Sequence, residues 1–95
     1  MKLNPEEIQV IKDMAGFFYT PAEIAINLQV DPDDFKAELK KKESELFEAY
    51  KTGLLTGDLR LRSGIMKAAE HGSHPAQQLM WKIKEDSEIK AQTNV

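Results

Sequence analysis

The sequence predicts an all-α fold in which an N-terminal helix-turn-helix is joined by a long shared helix to a C-terminal helical hairpin. Three observations carry this reading. Pro5, Pro21 and Pro32 each stand directly after a side chain able to cap a helix, at the first helical position where a missing N–H costs nothing, and Pro75, two residues after Ser73, does nearly the same. Gly16, Gly53 and Gly72 each follow a periodic apolar stretch, and glycine there can take the left-handed conformation that closes a helix. No segment alternates with period two for long enough to make a strand.

Taken in order, the first helix is expected over 5–15, opened by Asn4-Pro5 and placing Ile8, Ile11 and Ala15 on one face. Thr20-Pro21 opens a second over 21–28. Asp31-Pro32 opens a third, long helix over 32–52, roughly 30 Å at 1.5 Å per residue. Its apolar stripe, Phe35 and Leu39, then Leu46, Phe47 and Tyr50, is interrupted by the charged run 40–45. A stripe with a solvated gap implies a strut between two cores, supported across the gap by Glu38/Lys42 and Lys41/Glu45 pairs. Thr56-Gly57-Asp58 starts a fourth helix over 57–71. Ser73-His74-Pro75 starts a fifth over 74–90, with Ala76, Leu79, Met80 and Ile83 at i, i+3, i+4 and i+7. The expected organisation is a helix-turn-helix subdomain over 1–42, a hairpin for oligomerisation over 43–90, and a frayed tail over 91–95.

Ninety-five residues allow one ordinary domain and exclude a large catalytic α/β enzyme. With no Cys, there is neither a disulfide framework nor a thiolate nucleophile or metal ligand. Apolar residues at 41% suffice for a core, yet stability must come from helix packing or from association. The net charge of −3 is unevenly spread. Residues 31–50 set four Lys against seven acids, whereas over 51–72 Lys51, Arg60, Arg62 and Lys67 face only Asp58 and Glu70. No apolar run has signal-peptide or membrane-span length, so a soluble, cytoplasmic protein is expected.

Residues 20–39, TPAEIAINLQVDPDDFKAEL, look like a helix-turn-helix for steric reasons. Ala25 falls where two helices cross, Ile24 and Leu28 form the buried face of the first, Val30 plugs the turn, and Phe35 and Leu39 face inward from the second. Gln29 occupies the turn position where glycine is usual. The exposed start of the second helix would meet base edges in this motif, but here it carries Asp31, Asp33 and Asp34, which serve better as caps than against phosphates. Lys36, Lys40, Lys41 and Lys42 are the available phosphate contacts; a solvated helix face is the plainer alternative for them.

Residues 49–85 contain Ala49, Tyr50 and Gly53, then Ala69 and Gly72, then Ala76, Leu79 and Trp81. In this pattern an Ala-Tyr-x-x-Gly element leads to a helix ending Ala-x-x-Gly and then to a helix opened by small residues. It resembles the small subunits of phage terminases and related DNA-packaging proteins. The resemblance implies a non-enzymatic, homo-oligomeric factor that recognises double-stranded viral DNA. Such a factor hands the DNA to a separate large terminase subunit carrying ATPase and nuclease activity, within the bacterial host. On that reading Arg60 and Arg62 form a second basic site beside the four lysines, and Tyr50, Leu54, Leu55 and Trp81 form the oligomer interface. Ala68, Ala69, Gly72 and Ala76 would let the last two helices cross closely, and Gly64, inside a helix, would mark a close backbone approach or a bend. Trp81, off the Leu79/Met80/Ile83 stripe, either covers the hairpin edge or anchors a subunit contact. Two other functions fit the same residues: a helix-turn-helix transcriptional regulator of a phage or mobile element, and a protein-interaction adaptor that does not bind DNA.

Other chemistry is present only on paper. Glu70-His71-x-x-His74 offers ligand types, but Gly72-Ser73 separates the two histidines and no further ligand is near in sequence, so no metal is expected. Glu6/Glu7 and Asp33/Asp34 are adjacent pairs that point to different sides of a helix. Gly53 to Gly57 lacks the Gly-Lys-Ser/Thr ending of a phosphate loop. No catalytic residue and no cofactor is expected.

Overall fold

A computed structural model describes residues 1–93, and among them there are five α-helices and no strand. They are α1 (Pro5–Gly16), α2 (Pro21–Asn27), α3 (Pro32–Leu39), α4 (Glu45–Glu70) and α5 (His74–Thr93). The chain is all-α, as the proline and glycine punctuation predicts.

The starts follow the caps. Asn4 and Thr20 each form a reciprocal capping box, with Glu7 and Glu23 respectively, and each is followed by proline at the first helical position. The Asp31 carboxylate accepts from the amides of Asp33 at 2.8 Å and Asp34 at 3.2 Å. Ser73 Oγ accepts from the Ala76 amide at 3.3 Å.

The expected third helix does not run through. It stops at Leu39, and Ser44 opens a new one, its Oγ accepting from the Phe47 amide at 3.0 Å and donating to the Glu38 carbonyl at 3.1 Å. One hydroxyl thus closes α3 and caps α4. Lys40–Glu43 form the connection, and the expected Glu38/Lys42 and Lys41/Glu45 supports give way to a Lys41–Glu38 pair at 3.2 Å. In turn, no helix starts at Thr56-Gly57-Asp58. Residues 45–70 are one continuous helix that absorbs the end of the expected third helix and all but His71 of the expected fourth.

Three helices end the same way. After α1 the amide of Phe18 donates to Ala15 O and that of Tyr19 to Met14 O; Gln29 and Val30 do this after α2, and Gly72 and Ser73 after α4. This Schellman closure needs a left-handed residue at its centre, and those residues are Phe18 (φ 65°), Gln29 (φ 59°) and Gly72 (φ 94°). Only Gly72 is the expected glycine stop. Gly16 is the last residue of α1 and is buried, and Gly53 lies inside α4.

Those displaced glycines explain the packing. A Cβ on Gly53 would fall 2.8 Å from Ala15 Cβ and 2.9 Å from Lys12 Cα, and one on Gly57 would fall 2.9 Å from Gly16 Cα. Both would also overlap backbone carbonyls of α1. α1 and α4 therefore meet backbone to backbone, a separation that any side chain would forbid.

The chain divides into two compact units, Met1–Asp58 and Leu59–Val95. In the first, Ile11, Ala15, Ile24, Ala25, Phe35, Leu46 and Ala49 form one core from α1 to α4, flanked by half-buried Leu28, Val30, Leu39, Tyr50 and Leu54. The boundary expected after residue 42 therefore lies after Asp58. Leu46 and Ala49 fill the N-terminal core, and no second core gathers them. In the unit from Leu59 on, Ala76 is the one buried hydrophobic residue among those described. α5 continues beyond its expected end to Thr93; the rest of the expected frayed tail, 94–95, lies outside the described residues.

Candidate nucleic-acid interface and assembly surface

In the first unit, α2 and α3 are joined by the four residues 28–31. Ala25 and Ile24 are fully buried at the base of α2, Phe35 is fully buried on α3, and half-buried Val30 closes the turn. Gln29 supplies the left-handed turn residue with no glycine present. Glu23, in the first turn of α2, is held below its ordinary pKa of 4.5 by the backbone amide of Thr20 first and by the Thr20 hydroxyl second. The carboxylate is thus kept charged where the helix dipole favours an anion.

The four lysines named from the sequence all reach solvent, but they do not share a helix. Lys36 is in the last turn of α3, Lys40 is its C-cap residue, and Lys41 and Lys42 lie in the connection. Lys36 and Lys40, four apart on a helical backbone, share a face. Lys41 is engaged with Glu38 while staying mostly exposed. The opposite end of α3 presents exposed Asp33 and Asp34, since Asp31 is occupied as the cap.

Arg60 and Arg62 belong to the second unit and are not brought to one place. Two positions on a helix turn through about 200°. Arg60 borders a groove with Leu61 and Leu79, whereas half-buried Arg62 borders another with Ile83, Asp86 and Lys90.

Of the four residues expected at an oligomer interface, Tyr50 and Leu54 are half-buried against the N-terminal core, while Leu55 and Trp81 are largely exposed. Trp81 is 62% exposed, with the Lys84 ammonium 4.9 Å from its ring centre, so it does not close over the hairpin. Outside its own helix backbone and chain neighbours Gly64 has nothing within 4 Å of where a Cβ would sit, so of the two alternatives expected there, a close approach or a bend, the close approach is absent. α4 reverses into α5 at Gly72, and Gln77 Nε2 donates to Ala69 O at 3.1 Å across the turn. Sequence reasoning passed over one surface feature, the exposed run Phe17-Phe18-Tyr19 between α1 and α2. Its signal was three aromatics in a row straight after a glycine.

Among the described residues no three His, Cys, Asp or Glu side chains gather where a metal ion could be held, and no helix is long and apolar enough to cross a membrane. His71 Nδ1 lies 2.7 Å from the Lys67 carbonyl oxygen within its own helix end. Compared with models of known protein families, with curated proteins and with solved structures, the chain matches none.

Proposed function

We propose that this chain is a non-enzymatic DNA-recognition and assembly factor similar in role to the small subunit of a phage terminase. In that role it holds double-stranded DNA for a large subunit that carries out the chemistry. The observation that supports it most is the α2–α3 pair. Its helices are joined by a turn with a left-handed residue at Gln29, its crossing side is small at Ala25, and exposed Lys36, Lys40, Lys41 and Lys42 stand at the end of α3. On this reading α2, the turn and α3 act as a helix-turn-helix whose lysines contact phosphate.

With about four phosphate contacts per chain, affinity for duplex DNA should fall roughly 10²-fold between 50 and 200 mM salt. Changing Lys36, Lys40, Lys41 and Lys42 together to Glu should abolish the shift of a duplex probe. All four are exposed, so the variant should keep the helical circular dichroism of the wild type. Absence of any salt-sensitive binding by the wild-type chain at 50 mM would overturn the DNA half of the reading.

A second reading, an adaptor that docks a protein, is favoured by exposed Asp33 and Asp34 at the start of α3, where a base-reading helix would meet the negative field of DNA. Asp33→Asn with Asp34→Asn separates the two. Tighter duplex binding supports the DNA role, and an unchanged null supports the adaptor.

A further inference from the structure

The run Phe17-Phe18-Tyr19 places three aromatic side chains on the surface of the unit that has a core to receive them. Phe17 is 68% exposed, Phe18 52% and Tyr19 45%. Phe18 is also the residue whose left-handed backbone closes α1, at φ 65°. A bulky side chain is unfavourable there, and glycine or asparagine is the ordinary choice. A ring that is half in water and held on a strained backbone contributes little burial to the fold, and strain of this kind gathers where a surface is shaped for a ligand.

The ring has a groove beside it. Phe18, Lys51, Leu54, Leu55 and Asp58 line a cleft of about 300 Å³ that lies wholly within the Met1–Asp58 unit. On α4 the last four stand at i, i+3, i+4 and i+7, the spacing with which a helix buries a stripe, yet Leu55 is 70% exposed. The charge around the aromatic run is mainly negative. Asp58 stands in the cleft, exposed Asp13 lies one helical turn before Phe17, and the Glu23 carboxylate accepts from the Thr20 amide, just after Tyr19, at 2.9 Å. Hydrogen bonds from Thr20 hold Glu23 in its charged form. Of the nearby cations, Lys51 lies 5.7 Å from the Phe47 ring centre at one end of the cleft, and Lys12 borders a different cleft beside Glu45 and Glu48.

We infer that the Phe17–Tyr19 turn and the cleft beside it form a docking site for a basic, apolar peptide segment of another protein. An apolar side chain of that segment enters between Phe18 and Leu55, and Arg or Lys on either side of it lies over the exposed rings and against Asp13, Glu23 and Asp58. Charge selects this occupant. Ring faces attract cations and the three carboxylates add to that attraction, whereas they repel the phosphates of a nucleic acid whose bases might otherwise stack on the rings. Size agrees. At roughly 150–250 Å² per ring, the three half-exposed aromatics leave on the order of 300 Å² to water, a patch large enough to be functional on a monomer. It falls well short of the roughly 800 Å² that each partner contributes to a standard interface between folded proteins, and so suits a peptide segment. The site stands apart from both readings of α2–α3, neither of which uses these residues.

The test uses the full chain. A random peptide library displayed on phage is selected on the immobilised protein, and the enriched peptides are synthesised and titrated by fluorescence anisotropy. They should carry Arg or Lys on both sides of Leu, Ile, Met or Phe, and their affinity should fall as salt is raised. Phe18→Gly should weaken binding at least about tenfold and yet melt no lower than the wild type, because glycine relieves the left-handed backbone. Leu55→Gln should weaken it comparably, and Asp13→Lys on the order of fivefold. The chain with Lys36, Lys40, Lys41 and Lys42 changed to Glu should bind the peptides at least as tightly as the wild type, so that this site and the DNA reading fail separately. Enriched peptides without the basic and apolar pattern, or binding that survives both Phe18→Gly and Leu55→Gln, would overturn the site. So would a labelled oligothymidine that binds through Phe18 where no peptide does, since the rings would then be stacking bases. A wild-type mass that falls by half on Phe18→Gly would overturn it too, by placing a second copy in the cleft.

Discussion

The two halves of α4 both carry glycine and put it to different use. At Gly53 and Gly57 the absence of a side chain lets α1 press its backbone against the helix, and that contact anchors a core containing Phe35, Ile11 and Ile24. At Gly64, one side of the same helix lies open. A glycine inside a helix is unfavourable by about 1 kcal/mol relative to alanine. In the first half close packing offsets that cost, and within one chain nothing offsets it in the second. Local sequence does not separate the two cases; what stands opposite does.

The largest contrast should appear when one aromatic is truncated in each unit. Phe35→Ala removes a fully buried ring from the N-terminal core and should cost about 3–5 kcal/mol in urea unfolding. Trp81→Ala, measured where the chain is monomeric, loses only a surface ring and its Lys84 contact and should cost less than about 1 kcal/mol. Equal costs would mean that the second unit has a core after all.

Alanine at two of the glycines should give opposite signs. Gly57→Ala drives a methyl into the Gly16 backbone and should destabilise by about 1–3 kcal/mol. Gly64→Ala, placed in the Trp81→Asp background so that association does not contribute, should stabilise by up to about 1 kcal/mol. Thermal melts of the two variants decide the matter, and a loss at Gly64 would show that this face is already covered within the chain.

Smaller effects are expected at the left-handed closures of the first unit. Gln29→Gly removes the steric penalty of a side chain at φ 59°, worth about 1 kcal/mol, less the greater backbone entropy that glycine loses on folding. The net should be a slight rise in midpoint. Gly72→Ala, the mirror change in the second unit at φ 94°, should lower helicity around 70–74.

The smallest effect belongs to Glu23. Its folded pKa lies below 4.5, so its capping contribution is fully present above the ordinary carboxylate value and is lost as pH falls through the lower folded one. The difference in midpoint between wild type and Glu23→Gln should therefore shrink between neutral pH and about pH 3. A difference that stays constant over that range would mean that the charge plays no part in the cap.

Where the helices begin was legible because capping is local. Asn4, Thr20 and Asp31 each bond amides no more than three residues away, and proline fixes the first turn whatever surrounds it. The break at 40–44 was missed for a reason of the same scale. Ser44 followed by Glu45 is a helix start, but a lysine run is as compatible with a solvated helix face as with a connection. The lysines of the candidate nucleic-acid surface were legible as exposed; that they straddle a helix end was not.

The sequence by itself determined that this protein is a string of five capped helices, because caps, prolines and apolar periodicity act within a turn of the chain. Tertiary structure alone decided which helices merge, which glycines end helices and which admit a neighbour, and which apolar stripes find a partner. A glycine's lack of a Cβ is neutral until another backbone arrives. At Gly53 and Gly57 it arrives from α1, and Phe18, not Gly16, then has to make the left-handed turn that closes that helix.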